Sequence, residues 1–98
     1  MALENTYHFE LLKNEAEQLV FHELDQQLAA LNTKICLCND CVMDMATKAL
    51  NTVKPKYRYS LLGTLYAAQS MNDRHYADSV QRAVADAIET VSGNPSHD

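Results

Sequence analysis

Glycine and proline are scarce in this sequence, with two of each among 98 residues, whereas apolar residues make up 47% of the chain. Such a composition disfavours intrinsic disorder and favours a helical globular domain. Also missing is any apolar run of about 20 residues, the length that a membrane-spanning helix needs. The opening residues are too acidic and polar for a signal peptide. We therefore expect one domain over residues 1–98, with no association with membranes.

Acidic side chains are absent from residues 45–72, although the chain as a whole carries a formal charge of −5. That segment contains four of the eight lysines and arginines, namely Lys48, Lys54, Lys56 and Arg58. The net negative charge argues against general nucleic-acid binding. The uncompensated basic segment indicates a small anion site, unless its cations pair with acids from other helices.

Apolar residues recur at steps of three and four along much of the chain, which is the spacing of amphipathic helices. We predict an all-α fold of four helices, at Leu3–Leu31, Cys41–Asn51, a short segment capped by Ser60, and Asn72 or Asp73 to Val91, with residues 92–98 as a frayed tail. Asn39 or Asp40 is expected to cap the second helix. The inward face of the last helix is predicted to consist of Tyr76, Val80, Ala83, Val84, Ala87, Ile88 and Val91. The first helix is long for a small domain. We expect it to pack against a second subunit in a homodimer.

Between the second and third predicted helices, Pro55 interrupts the helical pattern, because proline disfavours helical geometry at the preceding residue. The alternation Lys56-Tyr57-Arg58-Tyr59 is typical of an extended segment, whose side chains point alternately to two faces. Both faces can then present functional groups.

All three cysteines lie within six residues, in the pattern Cys36-x-Cys38-x-x-Cys41. Three closely spaced cysteines make a poor disulfide framework and indicate a reducing, cytoplasmic environment with a structural zinc ion. A fourth ligand could come from a histidine, a dimer mate or water; the histidines considered are His8, His22 and His75. Two alternatives stay open: reduced cysteines packed as small apolar groups, or redox-active thiols.

Motifs for catalysis are not evident, because the sequence contains neither an HExxH zinc motif nor a glycine-rich phosphate loop. The histidines also do not fall with an acid in a recognisable nucleophile motif. We therefore expect a binding protein and not an enzyme.

Several short motifs occur in an order typical of one family. They are Glu17-Gln18-Leu19-Val20 followed by Leu24, the cysteine cluster, Asp44, Ala49-Leu50-Asn51, Pro55-x-Tyr57 and Gly63. Together these motifs, over about residues 15–63, resemble the ComFB-type late-competence family of small bacterial proteins.

The resemblance implies an all-α homodimer in the bacterial cytosol. It also implies zinc bound by cysteines of the cluster, although a fourth cysteine that some members carry near the C-terminus is missing here. Some members are receptors for cyclic di-GMP, which they link to motility, competence or cell size. Cyclic di-GMP binding is therefore the function that the resemblance implies.

Binding of this messenger is compatible with the basic segment, since it requires cations for two phosphates and flat groups for two guanines. Lys54, Lys56 and Arg58 are the candidate phosphate ligands, and Tyr57 or Tyr59 could stack on guanine. Asp44 or Asn51 could accept or donate at a guanine edge. On a two-fold dimer the segment would occur twice, which matches a ligand made of two like halves.

Each of these residues also has a structural alternative. One tyrosine could belong to the core. Asp44 could be an acid near the helix start that the helix dipole stabilises, and Asn51 could cap the end of the second helix. The alternative function is a nucleotide-independent, zinc-stapled adaptor that binds a downstream protein in competence or motility regulation.

Overall fold

The computed structural model describes residues 2–59 and 74–95. Within these ranges the chain is mostly helical, with helices α1 (Glu15–Ala29), α2 (Asn39–Thr52) and α3 (Arg74–Gly93). Two short strands, β1 (Lys13–Asn14) and β2 (Tyr57–Arg58), and two 3-10 turns, Leu3–Asn5 and Phe9–Leu11, complete the elements. The all-α prediction therefore holds in outline, while the helix predicted after Ser60 lies outside the described residues.

The prediction of one long helix from Leu3 to Leu31 is wrong, because α1 begins only at Glu15. Asn14 has an extended backbone and acts as the N-cap, with its Oδ1 accepting a hydrogen bond from the Ala16 N–H (3.2 Å). An N-cap of this kind satisfies a free N–H group at the first turn and separates the helix from the preceding chain. The apolar spacing before residue 13 therefore belongs to an exposed segment and not to α1.

The core forms where the three helices pack together. Every residue predicted to face inward on the last helix is buried: Tyr76, Val80, Ala83, Val84, Ala87, Ile88 and Val91. From α1 and α2 the core receives Ala16, Val20, Leu24, Cys41, Met45, Ala46 and Ala49. Besides alanine and branched aliphatic side chains, the core contains Cys41, Met45 and one tyrosine.

Helices α2 and α3 run antiparallel. The Tyr76 hydroxyl, near the start of α3, donates to the carbonyl oxygen of Lys54, just beyond the end of α2 (2.8 Å). Further along α3, Asp86 pairs with Lys48 in the middle of α2 (3.1 Å). The two ends of α2, about 21 Å apart at the standard helical rise, therefore face different parts of α3.

Strands β1 and β2 pair antiparallel, with Lys13 opposite Arg58 and Asn14 opposite Tyr57. The extended conformation predicted for residues 56–59 is thus confirmed at Tyr57 and Arg58. Lys56 is fixed on both sides of its peptide, because its N–H donates to Asn14 Oδ1 (2.7 Å) and its carbonyl accepts from the Glu15 N–H (2.7 Å). The start of α1 thereby holds the basic segment in place.

No helix within the described ranges has both the length and the apolar character needed to cross a membrane.

Asn14→Ala should lower the free energy of unfolding by about 1–3 kcal/mol, since it removes an N-cap and leaves the Lys56 N–H without its acceptor. Asn14→Asp, which keeps an acceptor oxygen at the same place, should retain most of that stability. Denaturant unfolding of both variants measures the difference. Asn32→Ala, a change at an exposed loop position, is the matched control. Equal stabilities for Asn14→Ala and this control would contradict the proposed role of Asn14.

Candidate metal centre and basic pocket

The three cysteines converge at the start of α2. Cys36 lies in the loop after α1, Cys38 precedes the first helical residue, and Cys41 lies in the first turn. Their three sulfur atoms all lie within 4.8 Å of one another. The sequence prediction that these thiols form one group is therefore consistent with the geometry.

The N-cap of α2 is Cys38, and not Asn39 or Asp40 as predicted, so the helix begins two residues early. Cys38 Sγ accepts a hydrogen bond from the Cys41 N–H (3.4 Å), and the Cys38 carbonyl accepts from the Val42 N–H (3.0 Å). Sulfur is a weaker acceptor than the oxygen of asparagine or aspartate. The backbone nevertheless places the cap at the thiol, which brings Cys38 towards Cys41.

The three thiols differ in environment. Cys41 is buried, Cys36 is half-buried and Cys38 is exposed. The Cys41 N–H bond lowers the pKa of Cys38, whereas burial, followed by hydrogen bonding and charge from Cys36 and Cys38, raises the pKa of Cys41 to about 12. A bound cation would reverse the second effect, because it favours the thiolate form of every ligand.

The group fits a soft cation such as zinc. Zinc–sulfur bonds of about 2.3 Å place tetrahedral thiolates about 3.8 Å apart, which is compatible with the observed upper limit of 4.8 Å. Among the described residues, no histidine or carboxylate joins the three sulfurs. The cluster alone therefore offers three protein ligands.

The histidines considered as a fourth ligand lie elsewhere. His8 pairs with Glu10 (3.1 Å) on the exposed segment before β1. His22 lines a groove between α1 and the first half of α3, and His75 lies beside the end of α2 opposite to the cysteines. Their sequence positions gave no information on this arrangement, which depends on how the helices pack.

A second candidate site, the basic pocket, lies at the other end of α2. It has a volume of about 340 Å³ and is lined by Thr52, Val53, Lys54, Lys56, His75, Tyr76 and Ser79. Among the residues that the structure describes, two lysines and a histidine contribute to its wall, and no acidic residue does. A pocket with this lining favours an anion.

Tyr76 organises the basic pocket. Its hydroxyl bonds the Lys54 carbonyl, and its ring lies 4.5 Å from Lys56 Nζ, in cation–π contact. Burial raises the pKa of Tyr76, so the hydroxyl stays a hydrogen-bond donor. Sequence analysis placed Tyr76 in the core and missed its polar role. The available signal was that a buried tyrosine hydroxyl usually needs a partner.

The other predicted nucleotide ligands do not all reach this pocket. Arg58 pairs with Glu15 of α1, and Tyr59 lines a different pocket, together with Tyr7 and Phe9 of the N-terminal segment. The side chain of Tyr57 is 61% exposed.

On α2, Asp44 is half-buried and Asn51 is exposed. They are two helical turns apart, so they share one side of α2. Asp44 lies about 12 Å from Thr52 along the helix axis. Of the seven predicted ligands, only Lys54 and Lys56 therefore line the basic pocket.

Zinc should raise the melting temperature of the reduced protein and a chelator should lower it, since metal binding is coupled to folding. Cobalt substitution should give a thiolate charge-transfer band that weakens in Cys36→Ser and Cys38→Ser. Magnesium, a hard cation that prefers oxygen ligands, is the control and should have no effect. A melting temperature that responds equally to zinc and magnesium, with no thiolate band, would exclude the metal centre.

Comparison with known proteins supports the resemblance noted in the sequence. The family described as "Late competence development protein ComFB" matches residues 13–95. A search of curated proteins finds no significant match. Among solved structures, the late competence protein ComFB from Bacillus subtilis is similar to this chain, with a TM-score of 0.65 and 26% sequence identity. The similarity covers 87% of this chain and 94% of that one. The chain therefore belongs to the ComFB late competence family.

Proposed function

We propose that this protein is a regulatory homodimer that binds cyclic di-GMP at the basic pocket and carries a structural zinc ion at the cysteine cluster. The observation that supports this most directly is the composition of the pocket, whose described lining residues include Lys54, Lys56 and His75 and no acid. The other two lysine and arginine side chains of the acid-free segment are paired with acids, Lys48 with Asp86 and Arg58 with Glu15. The proposed anion site therefore includes only Lys54 and Lys56 of the four cations in the basic segment.

Phosphate recognition in this pocket would rest on Lys54 and Lys56. Lys54 is exposed, and its carbonyl oxygen accepts a hydrogen bond from Tyr76. The backbone from which the Lys54 side chain extends is therefore held in place. Lys56 is half-buried and its ammonium lies over an aromatic ring, where it is less hydrated than in open solvent. Charge-assisted hydrogen bonds to phosphate are strong when the donor is positioned in this way.

Guanine stacking would rest on Tyr57. Its neighbours Lys56 and Arg58 are half-buried whereas Tyr57 itself is exposed, as expected for alternating faces of an extended segment. Tyr57 is therefore on the face opposite to Lys56, and it offers a flat surface for a base that extends past the edge of the basic pocket. Arg58, Tyr59, Asp44 and Asn51 remain predicted ligands that would have to contribute from outside the pocket.

Zinc would act as a structural element in this proposal. Cys36, Cys38 and Cys41 would hold the ion, and its binding would connect the loop after α1 to the first turn of α2. A bound zinc ion contributes Lewis-acid stabilisation of thiolates, and a small domain with a modest core gains stability from such a site. The protein would then bind and signal without catalysing a reaction.

Titration calorimetry with cyclic di-GMP tests whether this nucleotide is the ligand. Cyclic di-AMP and GTP, titrated separately, are the specificity controls. We expect selective binding with one or two ligands per dimer. Lys54→Gln combined with Lys56→Gln should weaken affinity at least about tenfold, because a hydrogen bond to a charged group contributes about 1.5–3 kcal/mol. Both changes remove charge while retaining much of the side-chain length.

Lys34→Gln, at an exposed loop position, is the matched control and should leave affinity unchanged. Arg58 is left intact in this experiment because its loss would break the ion pair with Glu15. Wild-type affinity in the double variant would exclude the basic pocket. Absence of heat from a folded wild-type protein would exclude cyclic di-GMP and favour the adaptor function.

A further inference from the structure

The cysteine cluster contains a pair of thiols that suits a second chemistry besides metal binding. Cys38 is exposed, Cys36 is half-buried and Cys41 is buried, and all three are present as thiols. Their sulfur atoms lie within 4.8 Å of one another. An oxidant in solution can therefore reach one sulfur of the group, and that sulfur already has neighbours able to react with it.

The backbone favours Cys41 as the partner of Cys38. Cys38 is the N-cap of α2, and its Sγ accepts a hydrogen bond from the Cys41 N–H (3.4 Å), so its side chain is turned towards the first helical turn. Residues three apart in a helical turn have Cα atoms about 5 Å apart, within the range of about 4.4–6.8 Å that disulfides span. Cys36 is joined to Cys38 through the single residue Leu37, so a bond between those two would close a smaller ring.

We propose that Cys38 and Cys41 form a reversible disulfide on exposure to a peroxide, and that this bond and a metal ion exclude each other at the cluster. The disulfide would remove two of the three protein ligands and leave only Cys36. A single thiol cannot replace the four ligands that a structural zinc ion usually has. The disulfide depends neither on zinc nor on cyclic di-GMP; only its competition with metal rests on the zinc ion proposed above.

The oxidation takes two steps. The Cys38 sulfur attacks one oxygen of hydrogen peroxide, the O–O bond breaks, and the products are a sulfenic acid on Cys38 and one water. The Cys41 sulfur then attacks the Cys38 sulfur, the S–O bond breaks, and the departing hydroxide leaves as water with the Cys41 thiol proton. Two thiols thereby give two electrons and two protons to one peroxide, which yields one disulfide and two waters.

The contrast in burial sets the order of these two steps. Cys41 is fully buried in the core, so peroxide from solvent reaches the exposed Cys38 first. Attack of Cys41 on the oxidised Cys38 occurs within the chain and needs no access from solvent. It also prevents further oxidation of Cys38 to the irreversible sulfinic and sulfonic acids. Cytosolic disulfides are usually transient and redox-sensing, so the pair suits the reducing environment predicted from the sequence.

Peptide mapping of the reduced, metal-free full chain after treatment with hydrogen peroxide tests the disulfide. Cleavage before Asp40 leaves Cys36 and Cys38 in one peptide and Cys41 in the next. We expect the two peptides to be joined by a bond that a dithiol reductant releases, and the intact single chain to lose about 2 Da, the mass of two hydrogen atoms. A disulfide confined to the first peptide, a cross-link between chains, or three intact thiols would each overturn the inference.

Three variants assign the roles of the thiols. Cys38→Ser should slow the loss of thiols to peroxide at least about tenfold, because the remaining sulfurs are less accessible. Cys41→Ala should accumulate a sulfenic acid on Cys38 that dimedone traps, and Cys36→Ser, the matched control, should form the disulfide like the wild type. Equal dimedone labelling of the wild type and Cys41→Ala would exclude Cys41 as the partner. Circular dichroism checks that each variant is folded, and mapping of the wild type decides the matter if one is not.

The zinc-loaded wild type tests the competition with metal. Peroxide should release one zinc ion for each disulfide formed, as measured with a chromogenic chelator, and reduction should restore zinc binding. A disulfide that forms while zinc stays bound would overturn the mutual exclusion. A wild type that binds no zinc would contradict the proposed metal centre, whereas the disulfide is decided by the metal-free protein alone.

Discussion

The side-chain oxygen of Asn14 joins two parts of the structure that are distant in sequence. It accepts hydrogen bonds from the Ala16 N–H, which starts α1, and from the Lys56 N–H, which lies in the basic segment. One acceptor therefore determines both where the first helix begins and where β2 is anchored. Tyr76 then completes the support from α3 by bonding the Lys54 carbonyl. The basic pocket depends on this pair of contacts, because an extended segment has no internal hydrogen bonds to fix its own position.

Helix α2 separates the two candidate sites. The cysteines gather at its first turn, while the basic pocket forms just beyond its last turn, about 21 Å away at the standard rise. A metal ion at one end would therefore not contact a nucleotide at the other. Any effect of the metal on ligand binding would have to pass through the position of α2 against α3, which the core residues Met45 and Ala49 fix by packing. We accordingly regard the proposed zinc as structural support and the pocket as the site of recognition.

The sequence predicts the parts of this fold in which periodicity coincides with burial. The inward face of α3 is an example, since each residue assigned to it is buried. The N-terminal segment, residues 3–12, has apolar residues at a similar helical spacing, such as Tyr7 and Leu11, but none of its side chains is buried in the core. Periodicity alone therefore could not distinguish this segment from α1. The pattern of Asn14 with Glu17 three residues later, typical of a helix start, was the local signal available. The pairing of Arg58 with Glu15 and the approach of His75 to Lys54 depend on tertiary packing, and no local pattern encodes them.

The family match excludes the exposed N-terminal segment, residues 3–12, and includes the basic pocket. The match begins at residue 13, the first residue of β1, and Asn14 follows immediately. The shared fold thus starts at the first residues that are hydrogen-bonded to the basic segment, and residues 3–12 precede it. Residues 3–12 contribute no buried side chain to the core, so the packing of the helices does not depend on them. Tyr59, at the end of the basic segment, lines a pocket with Tyr7 and Phe9 of the N-terminal segment, so the two segments are neighbours there although Tyr59 does not line the basic pocket.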